Sequence, residues 1–195
     1  MEFYDHDLKC EICKKVNIIT AENHESIEQI ILDNKLPLIL GGEHSITPEI
    51  INTLAKKYNE ITIIHFDAHS DLRNEFYGNK NSHACAMKRC LDNDNVNIIS
   101  IGIRSSSQEE VDFKDQCDRV KWVNNVSDIV GKNIYISFDV DVFDSSIMPA
   151  TGTPEPGGLF WNQAIYYLNQ ITKYNNIIGI DVVEFSPIEN INNTQ

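Results

Sequence analysis

The sequence predicts an α/β protein in which a mostly parallel central sheet is flanked by helices. Two observations carry this. Apolar, β-rich runs alternate along the chain with amphipathic stretches. The apolar runs also read as nearly continuous Ile, Val and Leu, the pattern of strands covered on both faces. No internal repeat, low-complexity tract or interdomain linker interrupts the 195 residues, so a single domain over 1–195 is expected.

Taken in order, the first predicted strand is VNII at 16–19, followed by a helix over 24–34 in which Ile27, Ile30 and Ile31 share one face. LPLIL (36–40) is the next strand and 47–58 the next helix. ITIIHFD (61–67) is the most continuous apolar run and precedes a helix over 82–92. NIISIGI (97–103), a helix over 107–115, VKWV (120–123) and NIYISFD (133–139) continue the alternation. A helix over 161–173 and a last strand, NIIGIDVVEF (176–185), complete it. The stretch 144–160, rich in Pro, Gly and Thr, is the longest without periodicity, and a loop of that length in a compact domain is usually functional.

Composition narrows the partners. A formal charge of −13 argues against nucleic acid and anionic membrane surfaces, both of which reward a basic face. An acidic surface is compatible with a cationic substrate. No apolar run approaches the ~20 residues of a membrane helix. The start, MEFYDHDLKC, has neither a basic n-region nor an apolar h-region, so a cytoplasmic location is expected. Cys10, Cys13, Cys85, Cys90 and Cys117 are odd in number and scattered, which points to reduced thiols. Cys10 and Cys13 form a C-x-x-C near His6, without the second ligand pair that a structural zinc site needs.

In an open parallel sheet, ligands bind beyond the carboxyl ends of the strands. Three strands here run into polar clusters at that end: GGEHS (41–45), DAHSD (67–71) and DVDVFD (139–144). Extended backbone would place Asp67, His69 and Asp71 on one side, and likewise Asp139 and Asp141. Gly41 and Gly42 allow a tight turn that brings His44 to the same place. Either DxD alone is ordinarily a cap or a solvated loop, and His65, inside an apolar strand, is expected to pack. Three metal-type clusters at three strand ends are another matter. Four aspartates together could not all stay ionised without cations, and two divalent metals balance them in charge. Oxygen-rich ligation with some imidazole favours Mn²⁺, with Fe, Co or Ni as other possible occupants.

GGEHS, FDAHSDLR and SFDVDVFDSSIMPATGTPEPGG, in this order, resemble the ureohydrolases, the arginase and agmatinase family, over residues 36–188. The resemblance implies the three-layer arginase-type fold and two Mn²⁺ per chain. Carried over by position, His44, Asp67, Asp71 and Asp139 would hold one metal, and His69, Asp67, Asp139 and Asp141 the other. A hydroxide between them would be the nucleophile. Glu184, in DVVEFSP, matches the family's guanidinium-binding glutamate, and His83, in NKNSHACAMKR, matches the histidine that shuttles a proton to the leaving amine. The segment around His83 and TGTPEPGG look more like agmatinase than arginase. The implied reaction is hydrolysis of a guanidino C–N bond, agmatine and water giving putrescine and urea. Arginine, guanidinobutyrate and formimidoylglutamate remain alternative substrates. The family's trimers and hexamers imply a homo-oligomer.

The chain departs from the family in length, with segments apparently missing at both ends, so an unpaired sheet edge and exposed apolar surface are expected. Smaller departures are Ser145 and Ala150, where the family often has Pro and Gly. Two readings of other classes stay open: a shortened, non-catalytic metal-binding or partner subunit, and a deacetylase-type hydrolase with a single zinc.

Overall fold

A two-residue antiparallel pair, β1 (Tyr4–Asp5) with β2 (Cys10–Glu11), precedes a six-stranded parallel sheet in the computed structural model, which describes residues 4–5, 10–11 and 24–188. The predicted strand at 16–19, and His6 and Cys13 of the possible zinc cluster, lie outside the described residues. The sheet contains β3 (Leu38–Leu40), β4 (Ile61–Phe66), β5 (Val96–Ile101), β6 (Val120–Trp122), β7 (Asn133–Asp139) and β8 (Asn176–Val183). Their spatial order is β3-β8-β7-β4-β5-β6, and every pairing is parallel.

The period of two along the strands builds two cores. On β4, Ile61 and Ile63 face one side of the sheet while Ile64 and Phe66 face the other. The first side packs against α1 (His24–Leu32), α2 (Thr47–Lys57) and α3 (Ala86–Cys90) through Ile31, Ile50, Ile51, Leu54 and Met87. Phe113 of α4 (Gln108–Gln116) joins them from the same side. The second side is covered by α5 (Trp161–Tyr174) through Ala164 and Ile171. The result is three layers: helices, sheet and helix. Because β4 lies between β5 and β7 and is covered on both faces, all six of its residues are buried, as its unbroken apolar run predicts.

Helix boundaries follow local chemistry. α2 begins with a proline in its first turn and ends in Lys56 and Lys57, which complement the negative end of the helix dipole. α4 begins at a capping box in which Ser107 and Glu110 satisfy each other's backbone N–H groups. The predicted helix over 82–92 opens as a 3₁₀ turn at His83–Cys85 before α3. The predicted ends of β5 and β8 overshoot because Gly102 (φ +99°) and Glu184 (φ 63°) leave the β region.

The end strand β3 has no neighbour on its outer side among the described residues. Leu36, Leu38 and Leu40 there are 53%, 60% and 75% exposed. No described helix is long and apolar enough to cross a membrane.

Candidate metal centre

The carboxyl ends of β8, β7, β4 and β5, four neighbours in the sheet, lead into one cleft, and the turn after β3 sets His44 against the Glu184 of that cleft. Gly41 (φ +93°) and Gly42 (φ +84°) turn the chain sharply after β3 and carry it into a 3₁₀ turn at His44–Ile46. The turn is tied to β8 by Gly41 N–H to Val182 O (2.8 Å) and Glu184 N–H to Gly42 O (3.0 Å).

The ligand-type side chains converge, although extended alternation is not the cause. β4 ends at Phe66, the chain bends at Ala68, and Asp71 takes a left-handed φ of 52°. Asp67 Oδ1 accepts from His69 N–H, and Asp139 Oδ1 accepts from Asp141 N–H (2.8 Å) at the head of a 3₁₀ turn. In both motifs a carboxylate folds back on the backbone two residues on, the local preference of Asp at a strand end.

Two nuclei result. His44 Nδ1 lies 3.2 Å from Asp67 Oδ2, 3.0 Å from Asp71 Oδ2 and 3.6 Å from Asp139 Oδ2. His69 Nδ1 lies 2.9 Å from Asp141 Oδ2 and 3.5 Å from Asp67 Oδ1. Asp67 thus presents one oxygen to each imidazole. The potential metal-binding groups are His44, His65, Asp67 and Asp71 on one side, and Asp67, His69 and Asp141 on the other. A third group, Glu43, His83 and Glu184, has its donor atoms within 4.8 Å of one another at the mouth.

These residues fit a metal pair on their own chemistry. His44 Nδ1 is completely buried and has no aligned hydrogen-bond partner, although three carboxylate oxygens surround it at 3.0 to 3.6 Å. A ring nitrogen and carboxylates converging on a common point, with no thiolate among them, form a donor set for hard or borderline divalent cations.

Electrostatics point the same way. Burial, then the charges of Asp67 and Asp141, push the Asp139 carboxyl well above the usual range, and burial with Asp67 raises Asp71. Burial works to raise Asp67 too, but the imidazoles of His65, His44 and His69 outweigh it and hold that carboxyl well below its ordinary value. Burial likewise opposes a proton on His44 and His69, yet Asp67 and Asp71 carry the first well above its ordinary value. Asp141 and Asp67 carry the second to about 10. Without a cation, the cluster retains protons to relieve its negative charge.

Several participants escape sequence reading. His65 does pack, at 0% exposure, and it also works: its Nε2–H donates to Asp67 Oδ2 (2.8 Å), with Nδ1 against Ser100 Oγ (3.2 Å). Glu110 binds α4 to the Asp71 loop, accepting from Ser70 Oγ (2.7 Å) and Leu72 N–H (3.1 Å) through Oε1. Its Oε2 accepts from Ser107 N–H (2.8 Å) and Ser107 Oγ (2.7 Å). The Arg104 guanidinium donates to the carbonyls of Gly102, Asp141, Val142, Phe143, Glu155 and Pro156, pinning the 144–160 loop beneath the site. Asp144, half-buried, is held at about 2 by hydrogen bonds from Ser146, Gly157 and Gly158 across that loop. Only the Ser107-x-x-Glu110 spacing was a readable signal, and it reads as a cap rather than a site.

The cleft has a volume of about 330 Å³, at the small end of the ~300–1,000 Å³ of ligand sites. Asp71, Asp139, Asp141, Glu110 and Glu184 line it, with Arg73 as the cation among the lining residues. Glu184 Oε1 accepts from His44 N–H (2.7 Å), which anchors the glutamate against the first nucleus. Its left-handed φ, uncommon for a residue with a side chain, marks a backbone held by its surroundings.

Comparison with known proteins decides the family. A model of the Arginase family matches residues 2–195. This chain belongs to the arginase family. Among arginase-family relatives, the N(1)-aminopropylagmatine ureohydrolase of Synechocystis sp. is 29% identical over 96% of this chain and 72% of its own length. The agmatinase of Pyrococcus horikoshii is 36% identical over 83% of this chain and 59% of its own. A solved Clostridium difficile protein, described as a candidate agmatinase, overlays with a TM-score of 0.82 at 35% identity, covering 96% of this chain and 76% of that one. The three-layer parallel sheet is therefore the arginase-type fold. The chain spans from about half to about three quarters of the length of the curated relatives it matches.

Proposed function

We propose that this protein is an agmatinase-like ureohydrolase that uses two Mn²⁺ ions per chain to hydrolyse agmatine to putrescine and urea. One observation carries the reading above the rest. Two imidazole nitrogens, His44 Nδ1 and His69 Nδ1, face opposite oxygens of Asp67, and Glu184 is anchored to the backbone of His44 beside them. In this reading His44, Asp67, Asp71 and Asp139 hold one metal. His69, Asp67, Asp139 and Asp141 hold the other. When bound, the metal pair supplies the Lewis acidity that makes water nucleophilic near neutral pH.

The chain's own residues do the rest. Glu184, whose Oε2 has no hydrogen bond among the described residues, accepts the N–H groups of a planar guanidinium and sets its carbon over the carboxylate cluster. The acidic lining favours a cation and disfavours an anion in the same cleft. His83, half-exposed at the mouth with Nδ1 3.2 Å from Glu43 Oε2, delivers a proton to the departing amine, without which an alkylamine is a poor leaving group. The C–N bond to that amine breaks and urea remains. A homo-oligomer in the cytoplasm goes with the same reading.

Metal-dependent urea release tests it. The purified chain, loaded with Mn²⁺, is assayed against agmatine, N1-aminopropylagmatine, arginine, guanidinobutyrate and formimidoylglutamate. Preferred turnover of agmatine is the expected result. Preference for another guanidine corrects the substrate, and a folded, metal-loaded protein that turns over none of them refutes the enzyme reading in favour of a non-catalytic metal-binding subunit. One zinc per chain in place of two Mn²⁺ would favour the deacetylase-type alternative.

A further inference from the structure

Beneath the metal cluster, on the face of the sheet covered by α2, lies a buried polar layer that the reaction does not use. Asp181 of β8 is 0% exposed, and no Lys, Arg or His lies within ion-pair distance of it among the described residues. Three hydroxyls converge on its carboxylate: Tyr135 OH on Oδ2 (2.7 Å), Thr47 Oγ1 on Oδ2 (2.8 Å) and Ser137 Oγ on Oδ1 (2.8 Å). Tyr135, Thr47 and Ser137 are also 0% exposed. Ser137 Oγ in turn lies 2.8 Å from His44 Nε2, and His44 is the ligand-type residue whose other nitrogen faces the carboxylate cluster.

Burying a carboxylate without a cation is costly, so its presence beneath the cluster calls for a reason. Proton counting supplies one. An ionised carboxylate only accepts, so each of the three hydroxyls must donate its single proton to Asp181. Ser137 has then no proton left for His44, and its Oγ can only accept. The partner at 2.8 Å must therefore be an Nε2–H donor. With Nε2 carrying hydrogen, the position open to a metal is Nδ1, which lies 3.0 to 3.6 Å from Asp71, Asp67 and Asp139.

We infer that Asp181 is a positioning residue of the metal centre, acting through Ser137 to fix the ring orientation and tautomer of His44 so that Nδ1 is presented to the cation. The inference rests on the metal-centre reading of the preceding subsection and deepens it. Tyr135 and Thr47 hold the Asp181 carboxylate in one rotamer, so the direction of every hydrogen bond in the chain Asp181, Ser137, His44 is set from one end. The register supports the relay: Ser137 and Asp181 are paired neighbours on β7 and β8, and Thr47 opens α2 directly after the turn that carries His44. Outer partners of this kind orient metal-bound imidazoles in general, and their loss typically weakens metal binding ~10–100-fold.

Asp181→Asn is the informative variant, since it keeps the shape and inverts the logic. Its amide nitrogen donates to Ser137, whose proton then turns to His44 Nε2 and drives hydrogen onto Nδ1, into the place of the metal. Two measurements read this independently of turnover. Mn²⁺ titration of the dialysed protein is expected to show two sites in the wild type. In Asp181→Asn and in Ser137→Ala one of the two should be weakened ~10–100-fold while the other is kept. Ser137→Thr, which restores the hydroxyl, is expected to recover binding. ¹⁵N spectra of the histidine rings in protein loaded with diamagnetic Zn²⁺ should show a slowly exchanging Nε2–H on His44 that disappears in Ser137→Ala. If Asp181→Asn does not fold, Ser137→Ala decides the matter alone, because it removes one hydroxyl and leaves Asp181 two donors. A folded Ser137→Ala protein with both Mn²⁺ sites at wild-type affinity and the His44 Nε2–H signal unchanged would overturn the inference. A wild type that takes up no Mn²⁺ would overturn the metal-centre reading on which the inference rests, whereas two Mn²⁺ sites kept unchanged in Ser137→Ala would overturn the inference alone.

Discussion

Glu110→Gln probes how the Asp71 loop is held in place. Glu110 is 3% exposed and accepts four hydrogen bonds, two on each carboxylate oxygen. Each pair comprises one backbone N–H and one hydroxyl: Leu72 with Ser70, and Ser107 with itself. A glutamine has one accepting oxygen and one donating nitrogen. Whichever way its amide is turned, the nitrogen faces a backbone N–H that it cannot serve, while the hydroxyl on that side can rotate and accept. One N–H is orphaned, at a cost of about 1–3 kcal/mol, and two charge-assisted bonds become neutral ones. A loss of about 2–3 kcal/mol is expected, a large fraction of the ~5–15 kcal/mol that stabilises a typical domain. Urea unfolding of the metal-free protein should show the midpoint fall by roughly 1 M, with a slope of about 1–3 kcal/mol per molar unchanged.

The pH dependence gives a second handle on the same residue. Burial works to raise the Glu110 pKa, and the hydrogen bonds from Ser70, Ser107 and Leu72 outweigh it and lower it from 4.5. A depressed folded pKa means the stabilisation is complete above the unfolded value near 4.5 and is lost as pH falls through the folded one. The gap between wild type and Glu110→Gln should therefore be constant from pH 8 to about 5 and narrow below about 4.5. A Glu110→Gln midpoint within experimental error of the wild type, or a gap that stays constant into the acid range, would refute the reasoning.

Other expectations follow from the same geometry. Asp139→Asn should weaken both Mn²⁺ sites in titration, and by more than the ~10–100-fold that losing an outer partner costs, if Asp139 bridges as proposed. Glu184→Gln should leave Mn²⁺ stoichiometry at two and lower kcat/KM for agmatine roughly 30-fold or more, the equivalent of the ~2 kcal/mol at which truncated charge pairs begin; unchanged turnover would remove Glu184 from guanidinium binding. Gly102→Ala places a Cβ 2.6 Å from Val142 Cγ2 and 2.8 Å from the Asp67 carbonyl at a φ of +99°, so a loss of about 2–4 kcal/mol in thermal or urea unfolding is expected. Leu38→Lys with Leu40→Lys should reduce concentration-dependent association on a sizing column and change stability by no more than about 1 kcal/mol in total, since both side chains are exposed on the end strand.

The layered parallel sheet was legible because burial on both faces leaves an unbroken apolar run, and a run such as ITIIHF has few other uses. The ligand-type residues were legible because Asp and His in short clusters right after such runs are chemically conspicuous. How those clusters converge was read in the wrong terms. Period two held within β4 and β7 but stopped at their ends, where Asp67 and Asp139 turn the chain by accepting a backbone N–H two residues on. Alternation and turn put the same residues in one place, so the side chains meet although the geometry that brings them there is different.

By itself, then, the sequence determined the sheet, the cleft end and the inventory of charges, all consequences of local pattern. Only the tertiary structure decided who supports whom. Asp181 lies in a strand read as apolar and meets Ser137, Thr47 and Tyr135 from distances of 44 to 134 residues along the chain. Glu110 reaches Ser70 across 40 residues from the start of a helix. Arg104 finds the carbonyls of a loop that begins 40 residues later. A hydrogen bond has no sequence period, and its partners are set by which strands are neighbours. The order β3-β8-β7-β4 is therefore what turned a scattered set of hydroxyls and carboxylates into the support of one histidine.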